Sequence, residues 1–213
     1  MLIEFQNINK YSITPKGVIH VGMHKAEEYE TYIASGVSSI IFIEANESLC
    51  KEAETKSMAA WIKHAAISDK KELIQFNITN NGESSSILEL GDHSYIYPSI
   101  VNIESVEMMT STLDEIFQIG EYEPIDLIDR VFHQLHRFNI LNLDIQGAEL
   151  KAMKGLSDWS NIEAIFTEVN YREMYKGCPL IEEIDEFLLE KRFKKVEESN
   201  TGAGWGDALY IKM

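Results

Sequence analysis

Three carboxylates stand where runs of apolar residues end. Glu44 closes SIIFIE, Asp144 closes FNILNLD, and Glu168 lies at the end of EAIFTEV with Asn170 two positions on. Residues two apart in a strand share a side, so Glu168 and Asn170 face the same way. With Asp144 they offer three oxygen ligands for Mg²⁺ or a similar hard divalent cation. Alternatively, Asp144 or Glu168 serves as a general base or holds hydroxyl groups. The structural alternative for Asp144 is an N-cap, with DIQG as the first turn of the following helix. Glu44 stands 22 residues beyond Gly22, near the spacing at which an acid accepts ribose hydroxyl protons. Its structural alternative is a carboxylate exposed at a strand end.

The elements that must position these groups alternate. Strands are expected at Gly17–Gly22, Ser39–Glu44 and Trp61–Ile67, with helices at Ala26–Ser35 and Glu47–Lys56 between them. Such alternation implies a parallel sheet covered by helices on both faces. The stretch 72–110 is less regular: an edge-like strand at Glu72–Thr79, a polar loop at Asn80–Ser86, and a second strand at Ser99–Met109. A short helix starts at Thr112–Phe117. The parallel pattern resumes with a strand at Phe138–Asp144, a helix at Gly147–Gly155 and a strand at Glu163–Val169. Pro179 then opens the longest helix, running to Lys191. Lys194–Ser199 and Trp205–Lys212 form an antiparallel pair.

In an open parallel sheet, ligands sit beyond the carboxyl ends of the strands where the strand order reverses. The junction after the first strand reads HVGMHKAEE and holds one glycine, Gly22, where a dinucleotide fingerprint needs three. Glu27, Glu28 and Glu30 fall in the first helical turns, which suits the helix dipole but repels phosphate. The site therefore fits a phosphate-free nucleoside that carries positive charge. S-adenosylmethionine has those properties.

The chain of 213 residues has 19 Lys and Arg against 35 Asp and Glu, a net charge of −16. Such a surface repels nucleic-acid phosphates and anionic membranes, so neither is an expected partner. No apolar run approaches the ~20 residues of a membrane span, and the start, MLIEFQNINKYS, lacks a signal-peptide pattern. Cys50 and Cys178 are in no metal-like spacing and are expected as reduced thiols of a cytoplasmic protein. The length suits one domain, residues 1–213.

In order along the chain, VIHVGMHKAEE, IEAN, HAAISD, NNGESSSIL, TLDE, NLDIQGAELKAMKGL, EVN and GWGDALY resemble the FkbM-type S-adenosylmethionine-dependent methyltransferases. The similarity runs from about residue 16 to 213. It implies a Rossmann-like class I methyltransferase, an α/β fold with a mixed seven-stranded sheet, helices on both faces and a small β insertion at about 72–110. It also implies S-adenosylmethionine as cofactor and O-methylation, often of sugar hydroxyls in glycans or related small molecules. His20 stands where many relatives carry an acid that helps hold the methionine end of the cofactor, which leaves that task to Glu28 or Asp144. Met23 replaces a small residue, and Lys25 and Ala26 fill positions that are often glycine-rich.

On this reading the cofactor is held by Gly22, His24, Glu28, Glu44, Ala45, Asn46, Ala66, Ile67 and Asp144, with the Gly22 turn beside the methionine part. Asp144 and Glu168 are the catalytic candidates. Ser85, His93, Gln146, Glu149 and Asn170 are candidates for the acceptor, a small molecule or saccharide. Glu149 either reaches back to a backbone N–H or contacts substrate. His93, with Tyr95 and Tyr97 in GDHSYIYP, forms either an acceptor wall on a mobile loop or plain surface. His20 reads as a satisfied buried histidine, Trp205 as packing and Asp207 as structural. His133 and His136 read as surface residues rather than zinc ligands. Two other functions stay open: a non-catalytic S-adenosylmethionine-binding module of glycan synthesis, and a dinucleotide oxidoreductase. The oligomeric state is open, a homo-oligomer included.

Overall fold

A computed structural model of the chain describes residues 1–56, 59–118 and 137–213. After a 3₁₀ segment at Phe5–Tyr11 the elements run β1 (Gly17–Val21), α1 (Tyr29–Ala34), β2 (Ser39–Glu44), α2 (Glu47–Thr55), β3 (Trp61–His64), β4 (Ala66–Ile67) and β5 (Leu73–Thr79). Next come α3 (His93–Ile96), β6 (Asn102–Ser111), α4 (Leu113–Gln118), β7 (Ile140–Leu143), α5 (Glu149–Lys154), β8 (Ala164–Asn170), α6 (Ile181–Glu190), β9 (Phe193–Asn200) and β10 (Trp205–Lys212).

Seven strands form one sheet in the order β3-β2-β1-β7-β8-β10-β9. β10 runs antiparallel to both neighbours, and the remaining pairs are parallel. β1, β2, β7 and β8 are buried at every position, as largely apolar strands covered on both faces are. Alternate side chains feed two cores. Ile19, Val21, Ile41, Ile43, Leu141 and Leu143 pack on one face, and Val18, Ile40, Phe42, Ile140 and Phe166 on the other. Burying each such side chain contributes ~1.5–3 kcal/mol. The strand order reverses between β1 and β7, so the crevice opens at their carboxyl ends.

His20 and Asn142 are register partners on β1 and β7. The Asn142 amide donates to the Tyr32 hydroxyl (2.8 Å), which leaves that hydroxyl's hydrogen for His20 Nδ1 (3.2 Å). The ring is thereby the neutral Nε2–H tautomer, and burial pushes its pKa down to about 4. His20 is a satisfied buried histidine with 2% of its surface exposed.

A three-stranded sheet, β4-β6-β5, stands beside the main one, with β5 and β6 antiparallel and β4 parallel to β6. The stretch Trp61–Ile67, expected as one strand, divides at Ala65. Trp61–His64 pairs with β2, and Ala66–Ile67 pairs with Thr110 and Ser111 of β6. Apolar residues occur in both halves, so hydrophobic pattern gives no sign of the change of partner. The first helix starts at Tyr29 rather than Ala26, because His24 (φ 48°) and Ala26 (φ 58°) take left-handed backbone that a helix cannot use.

Candidate functional site

A cavity of about 540 Å³ opens at the carboxyl ends of β1, β2, β7 and β8 and is roofed by the loop 81–87. Its floor is the turn after β1. Gly22 has φ 86°, and a Cβ there would sit 1.8 Å from the Asp144 carbonyl oxygen, so only glycine lets β1 and β7 approach this closely. The turn uses up its own donors. The N–H groups of Gly22 and Met23 donate to the Ile43 carbonyl, His24 N–H to Glu44 Oε2 (3.0 Å), Lys25 N–H to Glu27 Oε2 (3.1 Å) and Ala26 N–H to the Met23 carbonyl. A pyrophosphate cradle needs such N–H groups free and convergent. Glu27, Glu28, Glu44, Glu83, Asp144, Glu168 and Asp207 line the cavity, and among the described residues no lysine or arginine does.

Glu44 accepts from His24 N–H on one oxygen and from Asn46 N–H (2.8 Å) on the other. Burial raises its pKa against the pull of those two donors. The opposite wall is built around Gln146, whose backbone has φ 57°. Tyr175 donates its hydroxyl to Gln146 Oε1 (2.5 Å), which turns the amide nitrogen toward two carboxylates. That nitrogen donates to Asp144 Oδ1 (2.7 Å) and Glu168 Oε2 (2.8 Å). One oxygen of each carboxylate is left outside this clamp. Burial, then the charge of Asp207, pushes Asp144 up to about 6. Burial, then the charge of Asp144, raises Glu168 well above the usual carboxylate range. Asp207 faces Glu168 in register across β8 and β10, accepts from the Leu2 N–H, and is itself raised by burial. This wall therefore holds protons at a pH where free carboxyl groups have lost theirs.

Beyond the clamp lies a third, smaller apolar cluster of Met174, Tyr175 and Cys178, with Tyr97 and Trp205 packed against it. His93 and Asn170 sit in this part of the cavity lining. The His93 Nδ1 and both polar atoms of the Asn170 side chain are buried without a hydrogen-bond partner. Leaving such a group unpaired costs ~1–3 kcal/mol.

Residues 20–195 match the methyltransferase FkbM domain. The chain belongs to the FkbM methyltransferase family. As a member it is a methyltransferase, and S-adenosylmethionine is its cofactor. No curated protein matches the chain. Among solved structures, the ribosomal protein L11 methylase of Lactobacillus delbrueckii subsp. bulgaricus is similar in fold, with TM-score 0.51 and 10% identity over 99% of this chain and 77% of that one. M. capricolum TrmK, solved with S-adenosyl-homocysteine, gives TM-score 0.49 and 8% identity over 100% of this chain and 69% of that one. At such identity the first likeness shows the fold alone, the class I methyltransferase sheet.

In this FkbM domain the cavity gathers Gly22, His24, Glu28, Glu44, Ala45, Ala66, Ile67, Ser85, His93, Asp144, Gln146, Glu168 and Asn170. Asn46 and Glu149 are not brought there. Asn46 caps α2, its Oδ1 accepting from Ser48 N–H (3.0 Å). Glu149 is fully buried, and its Oε1 accepts from the N–H groups of Ile145 (2.9 Å) and Gly147 (3.1 Å). Glu149 rather than Asp144 therefore ties down the turn into α5, and burial pushes it up to about 7. Ser85 spends its hydroxyl within its own loop, donating to the Gly82 carbonyl (2.7 Å) and accepting from Thr79 N–H.

The segment around His93 is one helical turn and not the mobile loop expected. His93 is 5% exposed, and its N–H, with that of Gly91, donates to the Met174 carbonyl. Tyr95 is 84% exposed and belongs to no acceptor wall, whereas Tyr97 lines the cavity. Among the described residues no three His, Cys, Asp or Glu are disposed to hold a metal ion, and the Gln146 amide fills the space between Asp144 and Glu168 that a cation would need. His133 and His136 lie outside the described residues. Among the described residues no helix is long and apolar enough to cross a membrane.

Asp207, read as structural, and Tyr175, not singled out at all, both line the cavity. Asp207 is an acid in an otherwise apolar strand, GWGDALYI, and that contrast was the available signal. Tyr175 lies in a stretch without period, YREMYKG, and nothing local marks it.

Proposed function

We propose that this chain methylates a hydroxyl oxygen of a small molecule, a saccharide hydroxyl being the favoured acceptor. One observation carries the reading: the cavity is lined by seven carboxylates with no lysine or arginine among the described residues, the Met1 ammonium that also lines it is paired with Glu28, and the turn at its floor has spent its N–H groups. It suits a cation and is hostile to phosphate. The residues present fit S-adenosylmethionine. Ala66 and Ile67 offer an apolar seat for the adenine, Glu44 keeps acceptor capacity for ribose hydroxyls, and Asp144 and Asp207 are left to supply negative charge for the methionine end, Glu28 being paired with the Met1 ammonium (3.3 Å). When bound, the cofactor supplies an activated methyl group for in-line displacement.

The protein must hold the acceptor oxygen in line and take its proton. Gln146 fixes Asp144 and Glu168 and leaves one oxygen of each for the acceptor hydroxyl. A carboxylate with a raised pKa is a stronger base than an exposed one. The acceptor hydroxyl would give its proton to this pair while it displaces the thioether of the bound cofactor and takes the methyl group that the cofactor would supply. The pair then returns the proton to water.

The test is transfer of labelled methyl to a panel of glycosides, with the product linkage read by NMR. The reading expects an O-methyl ether resonance from a neutral glycoside. Label found on nitrogen or carbon would overturn it, as would failure to bind S-adenosylhomocysteine. Cofactor binding without transfer to any hydroxylated compound would favour the non-catalytic module.

A further inference from the structure

We propose that His93 and Asn170 form an acceptor subsite selecting an uncharged group that presents a hydrogen-bond donor and an acceptor side by side on a ring. The inference rests on the methyl-transfer reading of this cavity and names the chemistry of its second ligand. Asn170 ends β8 opposite Trp205 of β10, so the two side chains share a side with Glu168 and Asp207, the pair two positions along. Its amide is fully buried, lines the cavity, and has neither Nδ2 nor Oδ1 partnered. A free amide offers one donor face and one acceptor atom, which a neighbouring donor and acceptor on a ligand would satisfy together.

His93 lies in the same lining with Nδ1 unpartnered. Its ring packs against Tyr97 (centroids 5.0 Å) and Tyr175 (5.5 Å), and Trp205 Nε1 donates to the Tyr97 hydroxyl (3.1 Å). The aromatic residues thus hold His93 in place and give the flat apolar surface against which a ring body rests. Burial keeps the imidazole neutral, so it offers no charge to an anion. Among the described residues no lysine or arginine lines the cavity to receive a carboxylate or phosphate. A vicinal diol and a ring carboxamide share the required chemistry, and the experiment separates them.

Protein labelled in its side-chain nitrogens is loaded with S-adenosylhomocysteine and followed by NMR. The probes are methyl mannopyranoside for the diol, benzamide for the carboxamide, and methyl glucopyranosiduronate as the anion. One neutral probe is expected to move the Asn170 amide and His93 ring signals, and the anion to leave them in place. Asn170→Leu and His93→Phe should each weaken that probe about tenfold, with S-adenosylhomocysteine affinity within about twofold of the parent. The wild-type spectra decide the matter even where a variant does not fold. If S-adenosylhomocysteine binds and neither neutral probe moves these signals, or the anion binds equally well, the subsite is refuted while the methyl-transfer reading stands. If S-adenosylhomocysteine itself does not bind, both fall.

Discussion

Replacing Gln146 by Met removes the amide that holds Asp144 and Glu168 while keeping an unbranched side chain of similar volume. The wild-type nitrogen donates to both carboxylates, at 2.7 and 2.8 Å. Each bond favours the ionised form and opposes the upward push of burial. Hydrogen bonds to charged groups are worth ~1.5–3 kcal/mol, and one pKa unit corresponds to ~1.4 kcal/mol. Their loss should therefore raise the pKa of the pair by about 1–2 units. The sign is fixed: a base that is protonated to higher pH loses activity at neutrality and regains it in alkali. The expected result is a fall in kcat of about 2–10-fold at pH 7, an acid limb of the kcat profile displaced upward by the same 1–2 units, and a higher KM for S-adenosylmethionine at neutral pH, because Asp144 loses charge there as well. Stopped-time methyl transfer across pH 5 to 10, with the parent protein alongside, measures all three. A loss of equal size at every pH would mean that Gln146 only shapes the wall. An unchanged profile would remove Asp144 and Glu168 from the proton path.

Further tests address the rest of the site. Glu44→Ala removes the acceptor for His24 N–H and Asn46 N–H together with the proposed ribose contact, and calorimetry should show S-adenosylhomocysteine binding about 10–100-fold weaker; affinity within twofold of the parent would dismiss the ribose role. Gly22→Ala forces a Cβ to within 1.8 Å of the Asp144 carbonyl at φ 86°, so β1 and β7 must separate at the cavity floor. A loss of at least about 2 kcal/mol is expected, read as a drop in Tm, and an unchanged Tm would show that the floor is not tight. Stability should also fall as pH rises from about 6.5 to 8. Glu149 titrates at about 7 and Glu168 well above its ordinary range, so the folded state holds protons that the unfolded chain has already released. His20, lowered to about 4, contributes its full share above the ordinary histidine value and does not mask the effect. Calorimetric Tm values across that window check the slope, which Glu149→Gln should flatten; an equally steep slope in the variant assigns the protons elsewhere.

The half of the cavity proposed for the cofactor was legible because its residues follow strands that announce themselves. Glu44 ends six buried residues with the only charge in the run, and Gly22 ends five. The same holds for Asp144 after β7. The half proposed for the acceptor was only partly legible, because its geometry depends on contacts between distant segments. Tyr175 reaches Gln146 across 29 positions, and Leu90 forms a bridge with Tyr175 that no local pattern encodes. Glu149 could cap or contact substrate on sequence grounds. Only the direction of the chain after Gly147 (φ 93°) decided that its carboxylate turns back to the backbone. Trp61–Ile67 shows the same limit at the level of the fold, since strand pattern reports burial and not which neighbour provides it.

The surplus of acids around the cavity bears on what happens after the methyl group has left. Turnover converts a positively charged sulfur into a neutral thioether, while the surrounding carboxylates stay where they were. An attraction present for the fresh donor vanishes for the spent one, and a unit charge ~4 Å away in a partly wetted cleft matters at the level of ~1–4 kcal/mol. On the proposed function, the same residues that make the pocket inhospitable to nucleotides would discriminate between the two ends of the catalytic cycle and ease the exchange of used cofactor for new.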